Sequence, residues 1–170
     1  ETHRSIGMRL LDPRNNSTVI TSQCLPKLPE QHSVHKIIEI ANQLKNATPI
    51  VTDSERYIYL SSAVQAGDAV YAMSDFDMAY SYFDTARQIL PLNAQETHPA
   101  YFKHIYLSLV ELQYNRRNFH ECLDLIDEVF DKFSENIDKA ALLRTQTKAE
   151  YGLYRPEAAI TTGIRALNLL

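Results

Sequence analysis

At 170 residues, 45% hydrophobic and 22% charged, the chain has the size and composition of a globular domain with enough apolar material to bury a core. A net charge of −4 argues against nucleic acid, which calls for a basic face, and four glycines are few for the turns of sheets or for phosphate-cradling loops. Cys24 and Cys122 make no disulfide framework and no C-x-x-C pair, and no run approaches the roughly 18 apolar residues of a membrane span.

From the N-terminus, a short helix is expected around Ser5 to Leu11, with Ile6, Leu10 and Leu11 on one side. The chain opens on Glu1 rather than Met and has no signal-peptide core, which reads as a segment of a longer polypeptide. Asp12 to Glu30 is rich in Pro, Asn, Ser and Thr and reads as an irregular strap, so residues 1–30 are set apart from a helical domain over 31–170. The glycosylation patterns at Asn15, Asn16 and Asn46 are short enough to arise by chance.

Val34, Ile37, Ile38, Ala41 and Leu44 mark one face of a helix from His32 to about Asn46. Thr52 and Glu55 form a capping box that opens a long helix carrying Tyr57, Leu60, Val64, Gly67 and Tyr71, ending near Ser74-Asp75. Phe76 starts the return helix, which stops at Pro91. A polar loop from Leu92 to His98 leads to Pro99 in a first turn, a helix over Tyr101 to Asn115, and a partner over Phe119 to Phe133 with Cys122, Ile126, Val129 and Phe133 inward. A third pair runs from Ile137 to Tyr151 and from Pro156 to Leu169. The expected pairs thus cover about 53–91, 99–134 and 137–169. The last helix is still apolar at Leu167, Leu169 and Leu170, so a continuation in a longer parent is expected.

These pairs repeat. Tyr71, Tyr114 and Tyr151 each stand eight residues before a small residue, Ala79, Cys122 and Ala159, which are spaced by 43 and 37 positions. Such a period belongs to stacked helix pairs. Gly67, Ala79, Phe83, Ala86 and Pro91 fall at intervals of twelve, four, three and five, those of the tetratricopeptide repeat: small residues where helices cross, an aromatic between hairpins, a proline to end the second helix. Later pairs depart from it, with Cys122 for the crossing alanine, Gly163 for the aromatic and an insertion around Asn93 to Thr97. The expected fold is all-α, an α-solenoid of tetratricopeptide-like antiparallel pairs with about eight helices.

The blocks IGMRLL (6–11), Ile37 to Pro91, LVELQYNRRNFHECLDLIDEV (109–129), IDKAALLRTQ (137–146) and EAAITTGIRALNLL (157–170) occur in an order that resembles the helical segment following the AAA-type ATPase module of large hybrid sensor histidine kinases, fungal in type with bacterial relatives. The resemblance covers nearly the whole chain. It implies a parent with a protein-kinase-like domain, an ATPase module, this segment, a GAF domain, a histidine kinase and a receiver in that order. ATP-dependent histidine autophosphorylation and relay to an aspartate would then belong to other domains. This segment would be a non-catalytic, cytoplasmic scaffold in a phosphorelay for stress signalling, with no cofactor of its own, binding protein partners or neighbouring domains and neither nucleic acid nor membrane. Two alternatives stay open, a regulatory arm of a signal-transducing ATPase or transcription regulator, and a free-standing adaptor.

The residues themselves show little chemistry. His120-Glu121 is followed by Cys122 and Leu123, not by the Arg-Thr-Pro of a phospho-accepting box, and no G-x-x-x-x-G-K-[ST] loop occurs. His32 and His35 lie one turn apart but lack a partner to complete a metal site, and they read as a solvated helix face. His98 and His104 read as capping or surface groups, and Cys122 as a small core residue. The candidate surface is a partner-binding groove of Tyr71, Tyr114 and Tyr151, with Asp68, Glu111 and Lys148 three residues earlier on nearly the same face. Its competing reading is that each tyrosine packs beside the next hairpin with its hydroxyl in water.

Overall fold

The computed structural model describes residues 34–45 and 53–170. The expected Ser5 to Leu11 helix, the strap to Glu30, His32 and Thr52 of the capping box lie outside these residues. Every regular element described is a helix: α1 (Val34–Lys45), α2 (Asp53–Ala72), α3 (Phe76–Ile89), α4 (Ala94–Thr97), α5 (Pro99–Asn115), α6 (Phe119–Val129) continued by a 3₁₀ turn (Phe130–Lys132), α7 (Asn136–Gly152) and α8 (Pro156–Leu167). The fold is all-α. The chain divides into two compact units, one ending at Ala100 and one beginning at Tyr101.

In the first unit α2 is the central element, packed on both α1 and α3. Its sequence explains why. Tyr59, Leu60, Ala63, Val64, Ala66 and Val70 are buried together with Ser61 and Ser62, so the helix has no single apolar stripe but is covered on more than one side. Small residues let its neighbours come close. A Cβ added to Gly67 would lie 2.8 Å from the ring of Phe83 on α3, itself fully buried. Ala79 and Ala86 complete the crossing with no exposed surface. Tyr82 of α3 donates its hydroxyl to Asn42 Oδ1 of α1 at 2.7 Å, and burial pushes its phenol pKa up against the pull of that bond. Arg56 Nη1 of α2 donates to the carbonyl of Ile89 at 3.2 Å, satisfying one of the acceptors that the end of α3 leaves open.

Two local features depart from expectation. The segment read as a polar loop after Pro91 contains α4, a single turn whose Glu96 and Thr97 N–H groups bond to Asn93 O, with Ala94 turned inward. One turn is too short to leave a period in the sequence. The helix read as continuous to Phe133 tightens at Phe130 into a 3₁₀ turn, which ends it and sets the buried Phe133 ring 5.4 Å from Phe102.

In the second unit α7 lies against both elements of the hairpin before it. Toward α5, Lys103 Nζ meets Asp138 Oδ1 at 2.6 Å, an ion pair that holds the lysine pKa above its ordinary value, and Lys148 Nζ stands 5.7 Å from the centre of the Tyr114 ring. Toward α6, Gly152 sits so near Phe119 that a Cβ there would be 2.7 Å from the ring. Its own partner, α8, is held across the crossing by Thr162 Oγ1, which donates to Glu150 Oε1 at 3.1 Å. Gly163 differs from the other two helical glycines, since a Cβ on it would find nothing closer than Thr147 at 3.9 Å.

The same substitution therefore acts with opposite sign at two glycines. Gly67→Ala forces the Phe83 ring to move and costs about 1–3 kcal/mol by overpacking, whereas Gly163→Ala gains about 1 kcal/mol from helix propensity. Urea unfolding followed by circular dichroism measures both, and a neutral Gly67→Ala would contradict the crossing described.

Candidate functional site

The tyrosine-to-small-residue spacing is a turn with one geometry used three times. After α2, Ser74 N–H donates to Tyr71 O at 2.8 Å and Asp75 N–H to Val70 O at 3.3 Å. After α5, Arg117 donates to Tyr114 O and Asn118 to Gln113 O, both at 2.9 Å. After α7, Tyr154 donates to Tyr151 O at 3.0 Å and Arg155 to Glu150 O at 2.9 Å. Each set is a Schellman motif, in which two orphan carbonyls at a helix end are bonded by N–H groups beyond it. The motif needs one residue in the left-handed region, and Ser74, Arg117 and Tyr154 hold φ of 63°, 63° and 59°. The next residue begins the return helix. Its carbonyl accepts the first helical bond from the small residue: Ala79 to Asp75 at 3.0 Å, Cys122 to Asn118 at 2.9 Å, Ala159 to Arg155 at 3.0 Å. The interval of eight is thus the length of the turn plus one helical step.

Around each turn the side chains differ. Tyr71 and Tyr114 are half-buried, with ring centroids 5.6 Å from Phe76 and 5.8 Å from Phe119, the residues that open the return helices. Tyr151 has Pro156 at that place and is exposed. Lys148 lies over Tyr114 of the preceding hairpin. Asp68 and Glu111 are exposed on α2 and α5. Tyr114, Lys148 and Tyr151 thus lie in the second unit, with Lys148 joining α7 to α5, while Tyr71 and Asp68 lie in the first.

Several of the polar groups are engaged in structure. Cys122 is fully buried, its Sγ donates to Val110 O at 3.4 Å, and burial pushes the thiol pKa up to about 12. Gln113 and Glu150 occupy the same place in successive hairpins, one residue before the tyrosine, and both are buried. Gln113 Oε1 accepts from Asn118 Nδ2 at 3.0 Å; Glu150 Oε1 accepts from Gln146 Nε2 at 2.9 Å and from Thr162. His98 caps α4, its backbone N–H donating to Ala94 O at 2.8 Å. Its ring is half-buried, with Nε2 hydrogen-bonded to the Tyr57 hydroxyl and Nδ1 2.7 Å from Thr97 Oγ1. His35, His120 and Glu121 are exposed. Among the described residues no group of three or more His, Cys, Asp or Glu side chains could hold a metal, and no helix is long and apolar enough to cross a membrane.

One surface was not read from the sequence. Ile160, Ile164 and Leu167 recur at helical spacing along the exposed side of α8. The spacing was visible, but in an amphipathic helix such a stripe reads as core until the neighbours are known. Comparison with family models, curated proteins and solved structures finds no match to this chain.

Three outcomes follow from this geometry. Arg117→Gly removes the cost of a left-handed side-chain-bearing residue and raises stability by about 1 kcal/mol in urea unfolding, with no change in helix content. Tyr114→Ala, which strips contacts to Phe119 and Lys148, costs about 1–3 kcal/mol, while Tyr151→Ala stays within about 0.5 kcal/mol; equal losses would refute the difference in packing. Cys122 resists iodoacetamide at about pH 8 until the chain is unfolded, as peptide mapping would show, and rapid native labelling would contradict its burial.

Proposed function

We propose that this chain is a non-catalytic helical-repeat scaffold, an α-solenoid segment of a multidomain signalling protein of the hybrid histidine kinase kind, acting in a cytoplasmic phosphorelay. The observation that carries the scaffold reading is the threefold recurrence of one turn geometry, joined by residues whose polar groups are used to hold helices together. A repeat unit of this sort supplies rigid area to a partner. The link to a histidine kinase is carried by the order of sequence blocks, in particular those at 37–91 and 109–129. In that setting the segment joins an ATPase module to sensor and kinase domains and docks a protein partner on surfaces that include Tyr71, Tyr114 and Tyr151 with Asp68, Glu111 and Lys148.

The coding sequence on both sides of Glu1 and Leu170 tests this directly. A P-loop upstream with a histidine box and a receiver downstream is the expected result. A P-loop without a downstream kinase would make the segment the regulatory arm of an ATPase or transcription regulator. A short reading frame with neither would make it an adaptor, and either result would remove the phosphorelay role.

A further inference from the structure

We propose that the cationic surface at the turn end of the second unit, made by Arg144, Lys148 and Arg155 with Arg117, is the docking site for an extended acidic peptide segment of another protein. This deepens the scaffold reading and rests on it. Arg144, Lys148 and Tyr151 follow one another at spacings of four and three and share one exposed side of α7. Arg155 and the 93% exposed Tyr154 stand in the turn beyond it, and Arg117 stands exposed in the turn after α5. The two turns lie at the same end of the unit, since Lys148 Nζ stands 5.7 Å from the Tyr114 ring and Gly152 abuts Phe119.

Charge says what fits there. Arg87, Lys103 and Lys132 are each held by a carboxylate of this chain, at 2.7, 2.6 and 3.4 Å, whereas among the described residues none of Arg117, Arg144, Lys148 and Arg155 is engaged in an ion pair. Glu111 is exposed on the neighbouring side of α5, and Glu121 and Glu157 sit in the first turns of α6 and α8, where helix N-termini favour them. The cations are not needed as helix caps either, because the carbonyls of Gln113, Tyr114, Glu150 and Tyr151 already accept from backbone N–H groups. Arg117 and Tyr154 hold positive φ at a cost that glycine would avoid, and strain kept at an exposed position is the mark of a functional surface. A following helix of a longer chain would leave this surface open. Glu111 and Arg117 stand in the preceding hairpin where Lys148 and Tyr154 stand in the last, and both stay exposed although α7 lies against that hairpin. Steps of four and three residues along α7 advance about 6 and about 4.5 Å, near the roughly 6.6 Å between alternate residues of an extended strand. Carboxylates on one side of such a segment therefore meet Arg144 and Lys148 in turn. Nucleic acid fits less well, because the chain as a whole carries a net charge of −4.

The probe is a fluorescein-labelled decapeptide of alternating glutamate and serine, titrated with the full 170-residue chain by fluorescence anisotropy. Saturable binding is expected, weakened by added salt and not shared by an alternating lysine and serine peptide. Arg144→Gln with Arg155→Gln weakens it roughly tenfold or more, and unchanged melting curves verify that this variant folds. Arg117→Gly weakens binding while raising the melting temperature, a pairing that a purely structural role for Arg117 would not give. Absence of saturable binding, equal binding of the lysine peptide, or affinity indifferent to these variants overturns the proposal. A single-stranded oligonucleotide that binds more tightly than the glutamate peptide would assign the surface to nucleic acid and also overturn it. Loss of peptide binding when the chain is lengthened by its native flanking sequence would place a segment of the parent on the surface, with the same consequence. Each of these outcomes leaves the scaffold reading in place, which stands or falls on the flanking coding sequence.

Discussion

A single left-handed residue at the end of each first helix governs the geometry of this chain. Placing Ser74, Arg117 and Tyr154 at positive φ costs roughly 1–2 kcal/mol each, since none is glycine, and two hydrogen bonds to the preceding carbonyls offset it. The turn that results is short and always the same. It fixes the direction in which the return helix leaves and the distance from the tyrosine to the residue that makes the first bond of that helix. Small residues then follow by necessity, because a return helix launched so soon crosses its partner closely at Ala79, Cys122 and Ala159.

The crossing also explains how the hairpins diverge without losing their shape. In the first, space is shared as Gly67 against the ring of Phe83; in the third, Thr147 stands at the place of Gly67 and Gly163 at the place of Phe83. The bulky and the small partner have changed sides. Polar pairs serve the same joint, the part-buried pair of Gln113 with Asn118 in one hairpin and the buried pair of Glu150 with Thr162 in the next. In a low-dielectric interior such bonds are costly to break and resist sliding of one helix along the other. Cys122 is sealed by burial and the His98 ring is bonded to Tyr57.

Each hairpin is small and cannot bury both faces of its helices alone, so packing passes from one element to the next, as α7 does when it closes on α5 and α6 while receiving α8. α8 carries an exposed aliphatic strip of Ile160, Ile164 and Leu167. Position along the repeat, more than residue type, sets what each surface can do. Tyr114 and Tyr151 occupy the same place in their hairpins, yet one lies under a lysine and the other faces solvent.

The sequence by itself determined the helical class, because capping residues, prolines and an apolar period act locally. It also located the repeated tyrosines and small residues. Tertiary structure decided the rest. That the His98 ring meets Tyr57, that α4 exists as one turn and that Lys148 serves the preceding tyrosine are matters of which element lies opposite, and no local pattern encodes that. The same holds for the candidate surface. Ile160, Ile164 and Leu167 have the spacing of a buried stripe, and whether a stripe is core or contact surface depends on a neighbour supplied by the packing of whole helices.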